Sequence, residues 1–301
     1  MTLTEKLTAL ADAVREKTGR TEPMTLDEMT AEIDGLSVGT TDAFVSQLTV
    51  DGSDFSYIFL NGRDRYAETE VLTLPPTANG KKFISTYENC RAKQLPQTID
   101  ISGAEVVDYM FQYLGAAPAD FGFDLSGLVL DMQNVTSAKG MFQGAYIGYF
   151  PQFLHMEKVE TVECFAQNIH YGREIYLTTT CNCKNFRFAF GYGCAARKIT
   201  VNIDSATDCT GMISGVYKNL TDLVLIGKLK TSLGISGNPN LTRESLQSVL
   251  DALFDFSGTD SAFVNTITFS DAAWETLDGE GNAAPNGMTW REYITSIGWN
   301  T

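Results

Sequence analysis

Short apolar pairs flanking one outward position recur along the chain: Leu48 and Val50, Leu72 and Leu74, Ile99 and Ile101, Leu128 and Leu130, Pro151 and Phe153, Ile175 and Leu177, Ile199 and Val201, then Leu223 to Leu225, and Ile267 and Phe269. Such alternation marks a half-buried strand, so each is predicted to be a short β-strand. Counted at the last member of each, the steps are 24, 27, 29, 23, 24, 24, 24 and 44 residues. So regular a period predicts a solenoid, because one coil of this length cannot bury its apolar side whereas stacked coils share a core and a parallel ladder. A second lane precedes the strands: Phe59, Tyr87, Phe111, Phe142, Phe165, Phe188 and Ile213. Its contexts are alike, with MFQ at Met110 and Met141, CFAQ at Cys164, RFAF at Arg187, GMFQG at Gly140 and GMISG at Gly211. The predicted fold is an α/β solenoid of about nine short parallel strands, with aromatic-bearing turns or short helices behind them.

Two irregular steps have visible causes. The 29-residue step carries an extra segment around Gly115 to Phe123, and the 44-residue step carries Asn240 to Phe256. In the latter, Leu241, Leu246, Val249, Leu250, Leu253 and Phe254 recur at helical spacing behind Thr242, which predicts a helix over Thr242 to Phe254 with Thr242 as N-cap. With the tail after Ser270, residues 240–301 are expected to form a helix-strand-helix cap on a solenoid spanning 45–239. At the other end, Leu3, Leu7, Leu10, Ala11 and Val14 share one helical face, Gly19 breaks the helix and Thr25 to Ile33 forms a second. Residues 1–36 are therefore expected to form a helical hairpin, joined by a small, polar linker over 36–44. A hairpin this short cannot support a domain alone, so the face carrying Leu3, Leu7, Leu10 and Val14 should dock on the first coil, another copy or a larger assembly.

The composition, 44% hydrophobic with 11% aromatic residues, is that of a folded chain despite a net charge of -15. That charge repels phosphates, and no run of Lys and Arg offsets it, so nucleic acid is an unexpected partner. Charges interleave with apolar residues at the N-terminus, which does not read as a signal peptide, and no run is long enough to span a bilayer. Folding in the cytoplasm without membrane insertion is the expectation. Cys90, Cys164, Cys181, Cys183, Cys194 and Cys209 are then expected as free, mostly buried thiols, with Cys164 and Cys209 as small packing groups in the turns.

Alternation places Thr49, Thr73, Asp100, Val129, Gln152, Tyr176, Thr200, Val224 and Thr268 on the outer face of the strands. Asp100 is the one acid there, so a glycosidase pair lacks its partner; Asp131 and Asp204, just past their strands, read as loop carboxylates. The CxC of Cys181 and Cys183, even with His170 nearby, lacks the second pair a zinc site needs, and no calcium loop, phosphate loop or nucleophile elbow occurs. Neither metal, cofactor nor enzymatic activity is expected. Tyr171, Tyr176 and Tyr192 are candidates for an exposed platform that stacks on sugar rings.

From Leu48 to about Leu225 the repeats resemble the leucine-rich repeats of BspA-like bacterial surface proteins, best at LTLPP from Leu72 and ENC at Glu88 to Cys90. The stretch Leu10 to Met29 is similar to leader hairpins on phage and prophage tail-associated proteins of Gram-positive hosts, and LTRESLQSVLDAL with the terminal GWN resembles the end of repeat proteins from the same sources. The resemblance implies a leucine-rich-repeat component of a phage tail or tail-like particle, assembled in the host cytoplasm as a homo-oligomer with other virion proteins. Its implied partner is a host surface glycan or protein, bound on the strand face near Asp100, Gln152, Tyr176 and Thr200. A structural tail or baseplate part without a host ligand, and a surface adhesin of the bacterium itself, are the other readings.

Overall fold

The computed structural model describes residues 54–57, 59, 80–90, 95–96, 98–115, 123–151, 154–170, 173–215, 219–279 and 284–301, with Asp12 and Arg15. The expected hairpin, its docking residues Leu3, Leu7, Leu10 and Val14, the linker, and the strands at Leu48 and Leu72 lie outside the described residues.

The chain forms a β-solenoid of parallel strands. In order these are β1 (Thr98–Ile99), β2 (Phe123–Asp124), β3 (Val129–Leu130), β4 (Ile147–Tyr149), β5 (Glu174–Leu177), β6 (Lys198–Asn202), β7 (Asp222–Ile226), β8 (Leu233–Gly234) and β9 (Ile267–Thr268). Strand β1 pairs with β3, β2 with β4, β8 with β9, and β5, β6 and β7 form one sheet, every pairing parallel. The extra segment after Gly115 leads into β2, which supplies a partner for β4. Strand β8, missed because Leu233 and Ile235 fall off the regular spacing, supplies one for β9. Pro151 lies outside any strand, and beside it Leu154 bridges Leu130.

Behind the strands runs a ribbon of turns, joined from coil to coil by parallel bridges through Asp54, Lys82, Val106, Ser137, Thr161, Asn185 and Asp208. Its backbone alternates. The amides of Val107, Tyr109, Phe111 and Tyr113 donate to Ser137, Lys139, Met141 and Gln143 in the next coil. Those of Met110, Gln112 and Leu114 close turns onto Val107, Tyr109 and Phe111 in their own coil. Every amide from Tyr109 to Leu114 is thereby paired, as burial demands. The turns closed by Met110 and Leu114 have a left-handed third residue, Tyr109 (φ 58°) and Tyr113 (φ 53°), followed at equivalent positions by Gly140 and Gly144, Cys164 and Asn168, Phe188 and Tyr192, and Gly211 and Gly215. At Gly140 and Gly211 the glycine also makes room, because the rings of Tyr109 and Phe188 in the preceding coil occupy the space a Cβ would take.

The residues between the left-handed positions point inward. Phe59, Tyr87, Phe111 and Phe142 stack one above the next with centroids 5.1, 5.5 and 5.3 Å apart, and Phe55 stacks on Phe83 at 5.2 Å. Beyond Phe142 the hydrogen-bond register puts Ala166, Phe190 and Ile213 in this lane. Phe165 is therefore one residue off the expected line, and meets Phe142 edge-on at 5.2 Å and 78°. Phe188 is two residues off, at a left-handed position and half-buried, whereas Phe186 and Phe190 fill the core. Hydrophobicity cannot choose between the phenylalanines of RFAF, because the phase of the turns decides which one faces in. Alongside, Gln112 donates to Gln143 (2.6 Å) and Gln143 to Gln167 (2.5 Å), a side-chain ladder that explains why glutamine recurs in MFQ and CFAQ.

Helix α1 (Arg243–Ala252) starts at the expected cap, with the Thr242 hydroxyl accepting from the Ser245 amide, and stops two residues short of Phe254. It lies where the strand after β7 would be. The buried Ser245 hydroxyl donates to the Thr221 carbonyl (3.0 Å) and accepts from the Leu223 amide (2.9 Å), and Ser248 accepts from Leu225 (3.1 Å). Side-chain hydroxyls thus satisfy the edge of β7 that a further strand would have paired. Helices α2 (Asp271–Leu277) and α3 (Trp290–Ser296) follow, capped by Ser270 and by a Thr289–Glu292 capping box. Trp299, fully buried, donates from its indole Nε1 to the Phe254 carbonyl at 2.8 Å. Among the described residues no helix is long and apolar enough to cross a membrane.

Substitutions at three positions test this arrangement. Phe190→Ala should cost about 3–5 kcal/mol in a denaturant melt, and Phe188→Ala under about 2 kcal/mol, since the latter ring is only half-buried; the reverse order would place the wrong phenylalanine in the core. Ser245→Ala should cost about 1–3 kcal/mol by leaving the Leu223 amide without its acceptor, with Ser245→Thr recovering part of that loss.

Candidate functional site

The strand sheet presents one side to solvent, and its cross-strand register decides what meets there. Glu174, Lys198 and Asp222 form one row across β5, β6 and β7, and Tyr176, Thr200 and Val224 form the next. On the N-terminal side of these rows, Arg173 and Arg197 precede their strands on neighbouring coils, with the Arg197 amide donating to the Arg173 carbonyl at 2.9 Å. The Thr221 amide donates in turn to the Arg197 carbonyl at 3.0 Å. Tyr149, at the end of β4, is 45% exposed and lies under the Arg173 guanidinium, 5.1 Å from its ring centroid. Lys198 sits 5.8 Å from the centroid of the Tyr176 ring.

The electrostatics of the face are uneven. Arg173, Arg197 and Lys198 form no ion pair among the described residues, although the chain as a whole is strongly acidic. The Tyr176 hydroxyl donates to the Glu174 carboxylate, and this bond to the acid, with a smaller effect of burial, raises the tyrosine's pKa. The Thr221 hydroxyl donates to Asp222 at 2.6 Å. Cations, carboxylates, a hydroxyl and two aromatic rings therefore share a flat surface held by backbone hydrogen bonds.

The residues singled out from the sequence fall unevenly on this surface. Tyr176 and Thr200 are register neighbours on it, as alternation implies. Thr200 is only 9% exposed, since its small side chain sits between the larger Tyr176 and Val224. Asp100 is not level with Val129, whose partner is Thr98. It is a corner residue instead, accepting from the Ser102 amide (3.1 Å) and hydroxyl (2.7 Å), and these bonds lower its pKa. Asp131 accepts from Gln133 in the same way, and Asp204 from the Lys228 amide. Asp100 and Asp131 are thus occupied in closing turns, and Asp204 in joining neighbouring coils. Tyr192 is 57% exposed but belongs to the turn ribbon, beside Phe188 at 5.2 Å, and so does not join Tyr176. Gln152 and Tyr171 lie outside the described residues.

Sequence reasoning missed Tyr149, Arg173 and Arg197. A search for linear runs of Lys and Arg finds nothing, but Arg173 and Arg197 stand one coil apart, and a search at the repeat period finds them. A groove of about 550 Å3 lies between α1 and the end of β7, where Gly227, Arg243, Glu244, Gln247 and Asp251 line it. Among the described residues no three His, Cys, Asp or Glu side chains are grouped to hold a metal ion. His170 stacks on Tyr146 at 4.2 Å, and burial lowers its pKa.

The cysteines are all free thiols. Burial pushes Cys183, Cys194 and Cys209 up to about 12. Cys209 packs in the core as expected, but Cys164 occupies a left-handed ribbon position and is only half-buried, its pKa raised by desolvation and then by Glu163. Because the thiolate is the reacting form, iodoacetamide at about pH 8 should label Cys181 and then Cys164 in the native protein. Mass spectrometry should find Cys90, Cys183, Cys194 and Cys209 modified only after denaturation; early labelling of Cys194 or Cys209 would contradict the packing.

Compared with family models, with curated proteins and with solved structures, the chain finds no match.

Proposed function

We propose that this chain is a non-enzymatic binding protein of a phage or phage-tail-like particle, whose repeats are leucine-rich repeats of the BspA-like kind and recognise the host cell surface through the outer strand face. The observation that carries the reading is the exposed group formed by Tyr149 under Arg173, with Arg197 and Lys198 on the neighbouring coil. Polar and aromatic groups exposed together on an open sheet face suit an extended polymer or a protein surface better than a small metabolite. In this reading residues 1–36 attach the protein to the particle, and to further copies, through the face bearing Leu3, Leu7, Leu10 and Val14. Residues 240–301 end the array, a role supported by the Ser245 and Ser248 hydroxyls that pair the edge of β7.

The test is binding of fluorescently labelled full-length protein to a panel of intact Gram-positive cells, before and after removal of wall glycans and after protease treatment. Strain-selective binding that one treatment abolishes is the expected result, and the treatment names the ligand class. Failure to bind any strain, even when the protein is multimerised on beads, would overturn recognition in favour of a purely structural tail or baseplate role. Binding by a cell-anchored form made by the bacterium itself would favour the adhesin reading.

A further inference from the structure

We infer that the surface built by Tyr149, Arg173 and Arg197 binds a polysaccharide whose repeating unit carries a carboxylate, a uronic-acid-containing glycan. The inference rests on the recognition reading above and names its ligand class. Its basis is a local reversal of charge. The chain carries a net charge of -15, and yet two exposed arginines stand on adjacent rungs without an ion pair among the described residues. Rungs of a parallel ladder lie about 4.8 Å apart, so two like-charged residues branch from neighbouring rungs, with the Arg173 guanidinium over the Tyr149 ring. An acidic chain could neutralise them from within: Lys81 is paired with Glu105 at 2.7 Å and Lys139 with Glu163 at 3.0 Å, both across coils. Among the described residues Arg173 and Arg197 have no such partner; the Tyr149 ring lies under Arg173, and Thr221 is on the rung next to Arg197.

The chemistry of the surroundings selects among anions. A planar guanidinium takes a carboxylate or a phosphate through paired hydrogen bonds. Tyr149 adds an exposed ring, which presents an apolar plane to the C–H face of a pyranose. One row away stand the carboxylates of Glu174 and Asp222. These accept hydrogen bonds from sugar hydroxyls, of which a uronic-acid polymer carries more per charge than a phosphodiester chain does. A glycan with one carboxylate and several hydroxyls per unit meets all three features together.

The experiment measures binding of the full-length protein to polygalacturonate, polyglucuronate and hyaluronan by calorimetry. The same polymers with their carboxylates reduced to alcohols, poly(glycerol phosphate) and single-stranded DNA serve as comparisons. Binding to at least one carboxylated polymer is expected, weakened about tenfold or more by carboxyl reduction and weakened by salt. Arg173→Gln and Arg197→Gln should each reduce that affinity about tenfold with an unchanged melt, and Tyr149→Leu should reduce it with the salt dependence kept. Arg187→Gln, the same charge change on the turn ribbon, should have no effect. No carboxylate-dependent binding across the panel, tighter binding to the phosphate polymers, or equal effects of Arg187→Gln and Arg173→Gln would each overturn the assignment. If intact cells are still bound in that case, recognition stands and the ligand class falls; if they are not, both fall.

Discussion

The structure depends on how the backbone of the turn ribbon divides its hydrogen bonds. Alternate amides reach the carbonyls of the next coil while those between close turns at home, and this division holds only if two residues per coil adopt left-handed conformations. Such residues cost roughly 1 kcal/mol or more each when they are not glycine, and here they include Tyr109, Tyr113, Cys164, Phe188 and Tyr192. The cost is sustained because the alternative leaves buried amides unpaired, at about 1–3 kcal/mol each. Once the division is set, the ring stack from Phe59 to Phe142, the glutamine ladder and the strand register follow from it. A ring above glycine, as at Tyr109 over Gly140, is the same constraint seen between neighbouring coils.

The period of the solenoid was legible because strand pairs such as Ile175 and Leu177, Ile199 and Val201, and Leu223 and Leu225 each put two branched side chains into the core at one spacing. The start of α1 was legible from Thr242 for a local reason, since an N-cap is read within a single turn. The ribbon was harder. Its inward positions are not alternate positions of a strand, so Phe165 and Phe188 were placed one and two residues from the lane that Ala166 and Phe190 occupy. Strands β2 and β8 carry the same apolar pairs, Phe123 and Leu125, Leu233 and Ile235, but fall between the regularly spaced ones and so escape a search by period.

The candidate site was less visible for a related reason. Tyr176 and Thr200 were found by alternation along single strands. Arg173, Arg197 and Tyr149 become neighbours only through the stacking of coils, and Asp100 left the face because its carboxylate closes a corner with Ser102. Corner acids recur at Asp124 and Asp255, again bonded to the serine two residues on. An acidic composition in this chain is thus partly turn chemistry, and the local excess of cations on the sheet is what departs from it.

Everything argued about that surface presupposes the coil-to-coil register, which through-bond couplings across hydrogen bonds read directly in a deuterated, isotope-labelled sample. The account predicts couplings from the amide nitrogens of Gly140, Phe142 and Gly144 to the carbonyl carbons of Glu163, Phe165 and Gln167, and from Arg197 to Arg173. Couplings displaced by one residue, or confined to carbonyls within the same coil, would contradict it and would separate the two arginines.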